Sequence, residues 1–304
     1  MDPVAFTIFG QDVMWYGIII TAAMVLSVAF IMKSAGAQGF ESDDFLDIAL
    51  YALPTGVIFA RAYYVLFNLP MYDTFAKMID IREGGLAIHG GLIGGILAGY
   101  IVVKIKKMNF FKAADVVAPF LALAQSIGRW GNYINQEAYG RATDLPWAIT
   151  IDGVGVHPTF LYESIWDFLV FLVLLRKSKN KDFDGQLISL YMILYSLGRF
   201  FIEGLRTDSL MLGNLRAAQI ASIIMVLLGA LLLIMRRNKG LGMAYEGQWS
   251  GCSNYNFAKD LKSQGNKALA NEESQQKMSP KLQEDELEPH HIEKPESNKD
   301  KDRK

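Results

Sequence analysis

The sequence predicts an all-α, polytopic membrane protein with seven transmembrane helices, its N-terminus outside and its C-terminus cytoplasmic. Three observations carry that expectation. Long apolar runs recur seven times before residue 236. The basic residues between them gather in alternate loops. Past Arg236 the composition turns abruptly polar.

The apolar runs fall at about 14–32, 45–67, 87–103, 113–128, 159–175, 186–203 and 216–235. Runs of roughly 20 apolar residues match the ~30 Å hydrocarbon layer of a bilayer. The first is read as a span and not as a cleavable signal peptide. Its apolar stretch is long, and Asp2 and Asp12 stand where a basic region would be. Basic loops follow the third run ("KIKKMNFFK"), the fifth ("RKSKNK") and the seventh ("RRNK"). Short basic loops stay in the cytoplasm, so these three share that side and the N-terminus faces outward. The loop after the first run carries only Lys33 before "ESDD" and decides little.

Residues 1–238 are therefore expected as a membrane domain and 239–304 as a charged, disordered cytoplasmic tail. The tail has too few large apolar residues to offset the chain entropy of folding. The overall averages, 51% hydrophobic and a net charge of −1, conceal this division. Cys252, alone in the chain, lies in the tail and excludes an internal disulfide. No metal, no cofactor and no nucleic-acid partner is expected, since no His/Cys/carboxylate cluster has ligand spacing.

The expected topology brings costly residues to one depth near the outer face. The stretch "SIGRWGNYINQEAYG", residues 126–140, leaves the fourth run there with Arg129, Asn132 and Glu137. Tyr16 opens the first run, Arg61 lies late in the second, and His89 opens the third in "GGLAIHGGLIGG". Tyr195, Arg199, Glu203 and Arg206, at i, i+4, i+8 and i+11, form one polar stripe on the sixth. An arginine in the apolar layer costs about 2.5–3.5 kcal/mol on insertion scales, so it faces a partner or a cavity. Arg206, at the end of its run, reads as an anchor snorkelling to the interface. Glu203 either neutralises Arg199 or serves a site. The pairs Gly90/Gly94 and Gly91/Gly95 are small-xxx-small spacings that favour close helix packing. Converging arginines suit an anionic head group, because guanidinium forks match phosphate oxygens. Asn132, Asn135 and Gln136 suit hydroxyls or a peptide backbone. These residues alone leave enzyme and transporter both open.

"GRWGNYINQEAYG" resembles the signature of the prolipoprotein diacylglyceryl transferases, bacterial membrane enzymes that lipidate a lipobox cysteine. "MWYG", "FARAYYVLF", "GGLAIHGGLIGG", "HPTFLYE" and "YSLGRFFIEGLR" resemble further blocks of that family in order, covering nearly all of residues 10–236. The resemblance implies that His89, Arg129, Arg199 and Tyr16 are catalytic. It implies that Arg129, Asn132, Glu137, Gly140, Tyr195, Glu203, Arg206 and Arg61 bind substrate. The implied partners are phosphatidylglycerol, prolipoprotein signal peptides with a lipobox cysteine, and membrane lipids. The implied reaction moves a diacylglyceryl group onto the cysteine sulfur and releases glycerol phosphate at the outer face of the cytoplasmic membrane. An anionic-lipid transporter or flippase is the alternative. The polar residues gather at one face instead of the midplane, and the halves show no inverted repeat, which weighs against it.

Overall fold

The computed structural model describes residues 2–81, 84–213 and 215–238. The expected tail at 239–304, with Cys252, lies outside the described residues. Each of the seven apolar runs forms a helix: α1 (Trp15–Ala35), α2 (Ser42–Phe67), α4 (Ile88–Ile105), α5 (Phe110–Ile134), α6 (Thr159–Lys177), α7 (Gln186–Glu203) and α8 (Ala217–Asn238). A single-turn helix, α3 (Phe75–Ile79), lies between α2 and α4. The described residues are mostly helical, and among them five helices (α1, α2, α4, α5 and α8) are long and apolar enough to cross a membrane. Charged residues lower the apolar content of the other two: Glu163 and Asp167 in α6, Arg199 and Glu203 in α7.

The all-α expectation needs one correction. Three antiparallel two-stranded hairpins occupy the loops: β1 (Val4–Ile8) with β2 (Gln11–Met14), β3 (Ile149–Ile151) with β4 (Val154–Val156), and β5 (Met211–Leu212) with β6 (Leu215–Arg216). The middle one has a local cause. Asp152 and Gly153 both take positive φ, 48° and 80°, the backbone of a type I′ turn that suits the twist of flanking strands.

Helix boundaries follow the side chains available to close them. Asn109 caps α5 by accepting from the backbone N–H of Phe111 (3.1 Å) and Lys112 (3.2 Å). The start of α7 is capped from another helix. Asp115 of α5 accepts from the N–H of Gly185 (2.8 Å) and Ile188 (3.0 Å), and pairs with buried Lys181 at 2.9 Å. Gly185 has φ 95°, and that backbone conformation presents its N–H to the carboxylate.

Large apolar side chains such as Val25, Leu50, Phe67, Ile105 and Leu227 are exposed, as on a surface that meets lipid. Small residues set the close contacts inside. On α4, a Cβ at Gly94 would meet the Phe59 ring at 2.6 Å, and one at Gly90 would run into the Phe59 carbonyl of α2. The Gly90/Gly94 pair is thus a helix contact, as its spacing suggests. Gly91 and Gly95 have ordinary room beside α2, where a Cβ would stand 3.6 and 3.7 Å from its nearest neighbours. Helix α5 packs against α1, α6 and α7 and supplies much of the buried core, including Val116, Ala118, Phe120, Ala122 and Leu123. It continues to Ile134, past the 128 expected from hydropathy, so Arg129 and Asn132 are helical.

Candidate active site

At the end of the bundle where α5 finishes, α6 begins and α7 finishes, seven charged residues come together. Their placement begins with how the three helices are tied. Ser126 of α5 and Ser164 of α6 each donate to the other's backbone carbonyl, at 2.8 and 2.9 Å. Trp166 of α6 donates to the Leu194 carbonyl of α7 at 2.9 Å and lies directly over Gly198, where no side chain would fit. One turn apart on α6, Glu163 and Asp167 then face the arginines of α5 and α7.

Glu163 is the hub. One oxygen pairs with Arg129 Nη1 at 2.7 Å; the other pairs with Arg199 Nη1 and lies 3.7 Å from Arg206 Nη1. Arg129 also reaches toward Asp167 (4.0 Å) and donates to the Tyr195 hydroxyl (3.5 Å). Arg199 pairs with Glu203 at 2.6 Å, and Arg206 makes a two-point pair with Asp208 at 2.7 and 2.9 Å. Glu163, Asp167 and Glu203 are 4%, 2% and 2% exposed, so water screens these charges little. Unit charges ~4 Å apart interact by roughly 4 kcal/mol at an effective dielectric of about 20. On the rim, the Arg206 hydrogen bonds hold the Asp208 carboxyl below the usual carboxylate range. Tyr195 stacks on Tyr191, whose hydroxyl donates to Gln125 at 2.9 Å and fixes the pair.

The loop from 135 to 158 is laced to both helix ends. The Gly140 N–H donates to the His157 carbonyl and the Arg141 N–H to the Leu205 carbonyl, both at 2.9 Å. A Cβ on Gly140 would stand 2.6 Å from His157 Cβ and 3.1 Å from the Leu205 carbonyl, so only glycine lets the strands close. Glu137 accepts from Asn132 (2.8 Å) and Asn135 (3.5 Å). An open cleft of about 320 Å³ lies beside it, lined by Gln136, Glu137, Ala138, Tyr139, Thr207 and Asp208.

Of the residues singled out from sequence, Arg129, Tyr195, Arg199, Glu203 and Arg206 meet in one network. Asn132, Glu137 and Gly140 border it through the loop. Tyr16 lies on Gly131, where a Cβ would touch its ring at 2.6 Å. Arg206 corrects the expectation of an interfacial anchor. Its side chain is only 12% exposed, held by the two-point pair with Asp208 and within 4.0 Å of the buried carboxylates of Glu163 and Glu203. Glu203 does neutralise Arg199, one of the two readings open from sequence.

Two residues are not joined to the network by any contact among the described residues. His89 is exposed in the first turn of α4, its ring 6.2 Å from that of Tyr63. Arg61 is buried and spends its donors on the backbone carbonyls of Lys77 (2.7 Å), Met78 (2.8 Å), Gly84 (2.8 Å) and Gly85 (3.2 Å). It satisfies a segment that has little secondary structure to do so. Glu163 and Asp167 are the residues sequence reading missed. Their signal was present: two acids one helical turn apart inside an apolar run, each costly in lipid.

A model of the family described as prolipoprotein diacylglyceryl transferase matches residues 3–235. The chain is 58% identical over 242 residues to the phosphatidylglycerol–prolipoprotein diacylglyceryl transferase of Clostridioides difficile (strain 630), covering 79% of this chain and 98% of that one. It is 53% identical over 236 residues to the like-named protein of Finegoldia magna, covering 77% and 95%. The like-named protein of Bacillus licheniformis is 47% identical over 256 residues, covering 79% and 94%.

Proposed function

The chain belongs to the prolipoprotein diacylglyceryl transferase family, and from that premise we propose that it transfers the diacylglyceryl group of phosphatidylglycerol to the lipobox cysteine of prolipoproteins. One observation carries the chemistry: Arg129 and Arg199, from two helices, converge on a single carboxylate at a helix-bundle end. Two guanidinium forks held that way suit a phosphate, and they stabilise it as charge builds on departure.

The cysteine thiolate attacks the glycerol C3 carbon that bears the phosphate. The C–S bond forms, the C–O bond to phosphate breaks, and glycerol phosphate leaves with the bonding electrons. His89 takes the thiol proton; its ring is exposed and makes no hydrogen bond among the described residues. A free thiol has a pKa near 8.5, so a base raises the thiolate fraction at neutral pH. Tyr16, Tyr195, Asn132, Glu137 and Gly140 shape the surroundings of the head group and peptide. Arg61 serves through the segment it holds.

The seven long helices act as seven spans, with the N-terminus outside and the basic loops after α4, α6 and α8 in the cytoplasm. That topology sets the site at the outer face of the bacterial cytoplasmic membrane, where a prolipoprotein emerges. The relatives reported above are named as transferases, so the transporter alternative has no support from them. The test is incubation of the purified protein with phosphatidylglycerol and a lipobox peptide. The peptide should gain the mass of one diacylglyceryl group, and a cysteine-to-serine peptide should gain none.

A further inference from the structure

The charges at the site close on themselves. Arg129, Arg199 and Arg206 face Glu163, Asp167 and Glu203, and Asp208 adds a carboxylate at the rim. Each of these three guanidinium groups already has a carboxylate partner when no anionic head group is bound. Something must yield when one binds, and the carboxylates differ in how free they are to do so.

Each arginine has an anchor besides Glu163. Arg199 keeps Glu203 at 2.6 Å, Arg206 keeps Asp208 at 2.7 Å, and Arg129 keeps Asp167 at 4.0 Å and Tyr195 at 3.5 Å. Glu163 alone touches all three. Removing it would leave every guanidinium with another partner, whereas removing Glu203 would leave Arg199 held by Glu163 alone.

We propose that Glu163 is an exchangeable counterion: it holds the place of the lipid phosphate between Arg129 and Arg199 and is displaced when phosphatidylglycerol binds. The proposal rests on the transferase reading above. A carboxylate and a phosphate present oxygens to guanidinium forks in the same way, so they compete for the same donors. In the empty site Glu163 keeps like-charged guanidinium groups from repelling one another. On binding it turns to Arg206, which is already 3.7 Å away. Glu163 is thus a positioning residue acting through the arginines, and its competition weakens apparent lipid affinity.

The test compares wild type, Glu163→Gln and Glu203→Gln, with kcat and the KM for phosphatidylglycerol measured separately and glycerol phosphate as a product inhibitor. In Glu163→Gln the KM should fall by about three- to ten-fold, and glycerol phosphate should inhibit more strongly by a similar factor. Its kcat should also fall, because the product leaves more slowly. Glu203→Gln should move the KM in the opposite direction. A folded Glu163→Gln enzyme whose KM is unchanged or raised overturns the proposal, since a purely structural carboxylate gives no gain in anion affinity. Should Glu163→Gln fail to accumulate in the membrane, Glu163→Asp replaces it: one methylene shorter, it reaches the forks less well and should also lower the KM. A wild-type protein that does not transfer lipid would sink the transferase reading instead. Glycerol phosphate binding to wild type and variant would then still decide the counterion role.

Discussion

At the scale of the residue, the arginines separate charge from geometry. Arg129 engages Glu163 through Nη1 and Tyr195 through Nη2. Lysine keeps the charge but has neither the planar fork nor the second donor direction. Arg129→Lys should therefore lose most transfer activity, while Arg237→Lys, exposed at the far end of α8, should leave turnover within about two-fold of wild type. Near-normal turnover in Arg129→Lys would reduce Arg129 to a diffuse electrostatic role. The proton is a separate matter. His89→Gln should keep lipid binding and slow transfer by about 10²–10⁴-fold, the range for losing a general base. Raising the pH toward the thiol's own pKa, about 8.5, should partly rescue it, because the thiolate then forms unaided. Rate against pH for both proteins at saturating lipid checks this; parallel curves without high-pH rescue would remove the base assignment. Glu163 and Asp167 show where residue-level reading stops short. Their cost in lipid is legible, but which arginines they serve depends on how α5, α6 and α7 pack, and hydropathy carries no such information.

At the scale of the element, the seven helices were legible because each coincides with an apolar run of helical length. Their ends were less so. Helix α5 outruns its apolar stretch because Arg129 and Asn132 find partners in other side chains, so the polar residues need not break the helix. The hairpin at Asp152–Gly153 had a turn signal between alternating residues, yet short loops are easily read past when spans dominate. Helix α7 offers the sharpest test of how elements are fixed. Its first turn has no capping side chain of its own, and buried Asp115 closes it from α5 while pairing with Lys181. Asp115→Ala leaves Lys181 with Asp184 at 3.0 Å but strips α7 of its cap. Breaking one side of such a buried pair costs about 3–5 kcal/mol. The variant should melt well below wild type in detergent. Asp115→Asn, which still accepts hydrogen bonds, should fall between. Because Arg199 and Glu203 ride on α7, lipid should partly restore the melting temperature of Asp115→Asn. A melting temperature unchanged by Asp115→Ala would mean that α7 is fixed by packing alone.

At the scale of the whole molecule, the arrangement of basic loops decides what the site can meet. Loops after α4, α6 and α8 carry "KIKKM", "RKSKNK" and "RRNK", and at the opposite ends of these helices lie the charged cluster and the 135–158 loop. Positive loops are retained in the cytoplasm, so the cluster should open outward. Loop charge is a local count that the sequence supplies directly, whereas the charge pairing inside the bundle depends on how the helices pack. The prediction can be read with one chemical handle, since Cys252 is the chain's sole cysteine and follows α8. In intact cells, with the outer membrane permeabilised where there is one, a membrane-impermeant maleimide should leave Cys252 unlabelled and react once the cytoplasmic membrane is opened. In a Cys252→Ser background, Asp144→Cys should show the reverse. Asp144 is exposed in the loop tied to Gly140 and Arg206, and its thiol should react in intact cells. A protein with both positions on one side would require an even number of crossings between the loop and the tail, against the three supplied by α6, α7 and α8. Labelling of Cys252 from outside with Asp144→Cys protected would invert the whole molecule. The cluster would then face the cytoplasm, before the prolipoprotein has crossed, and the transfer reaction would have to occur on the wrong side of its substrate's path.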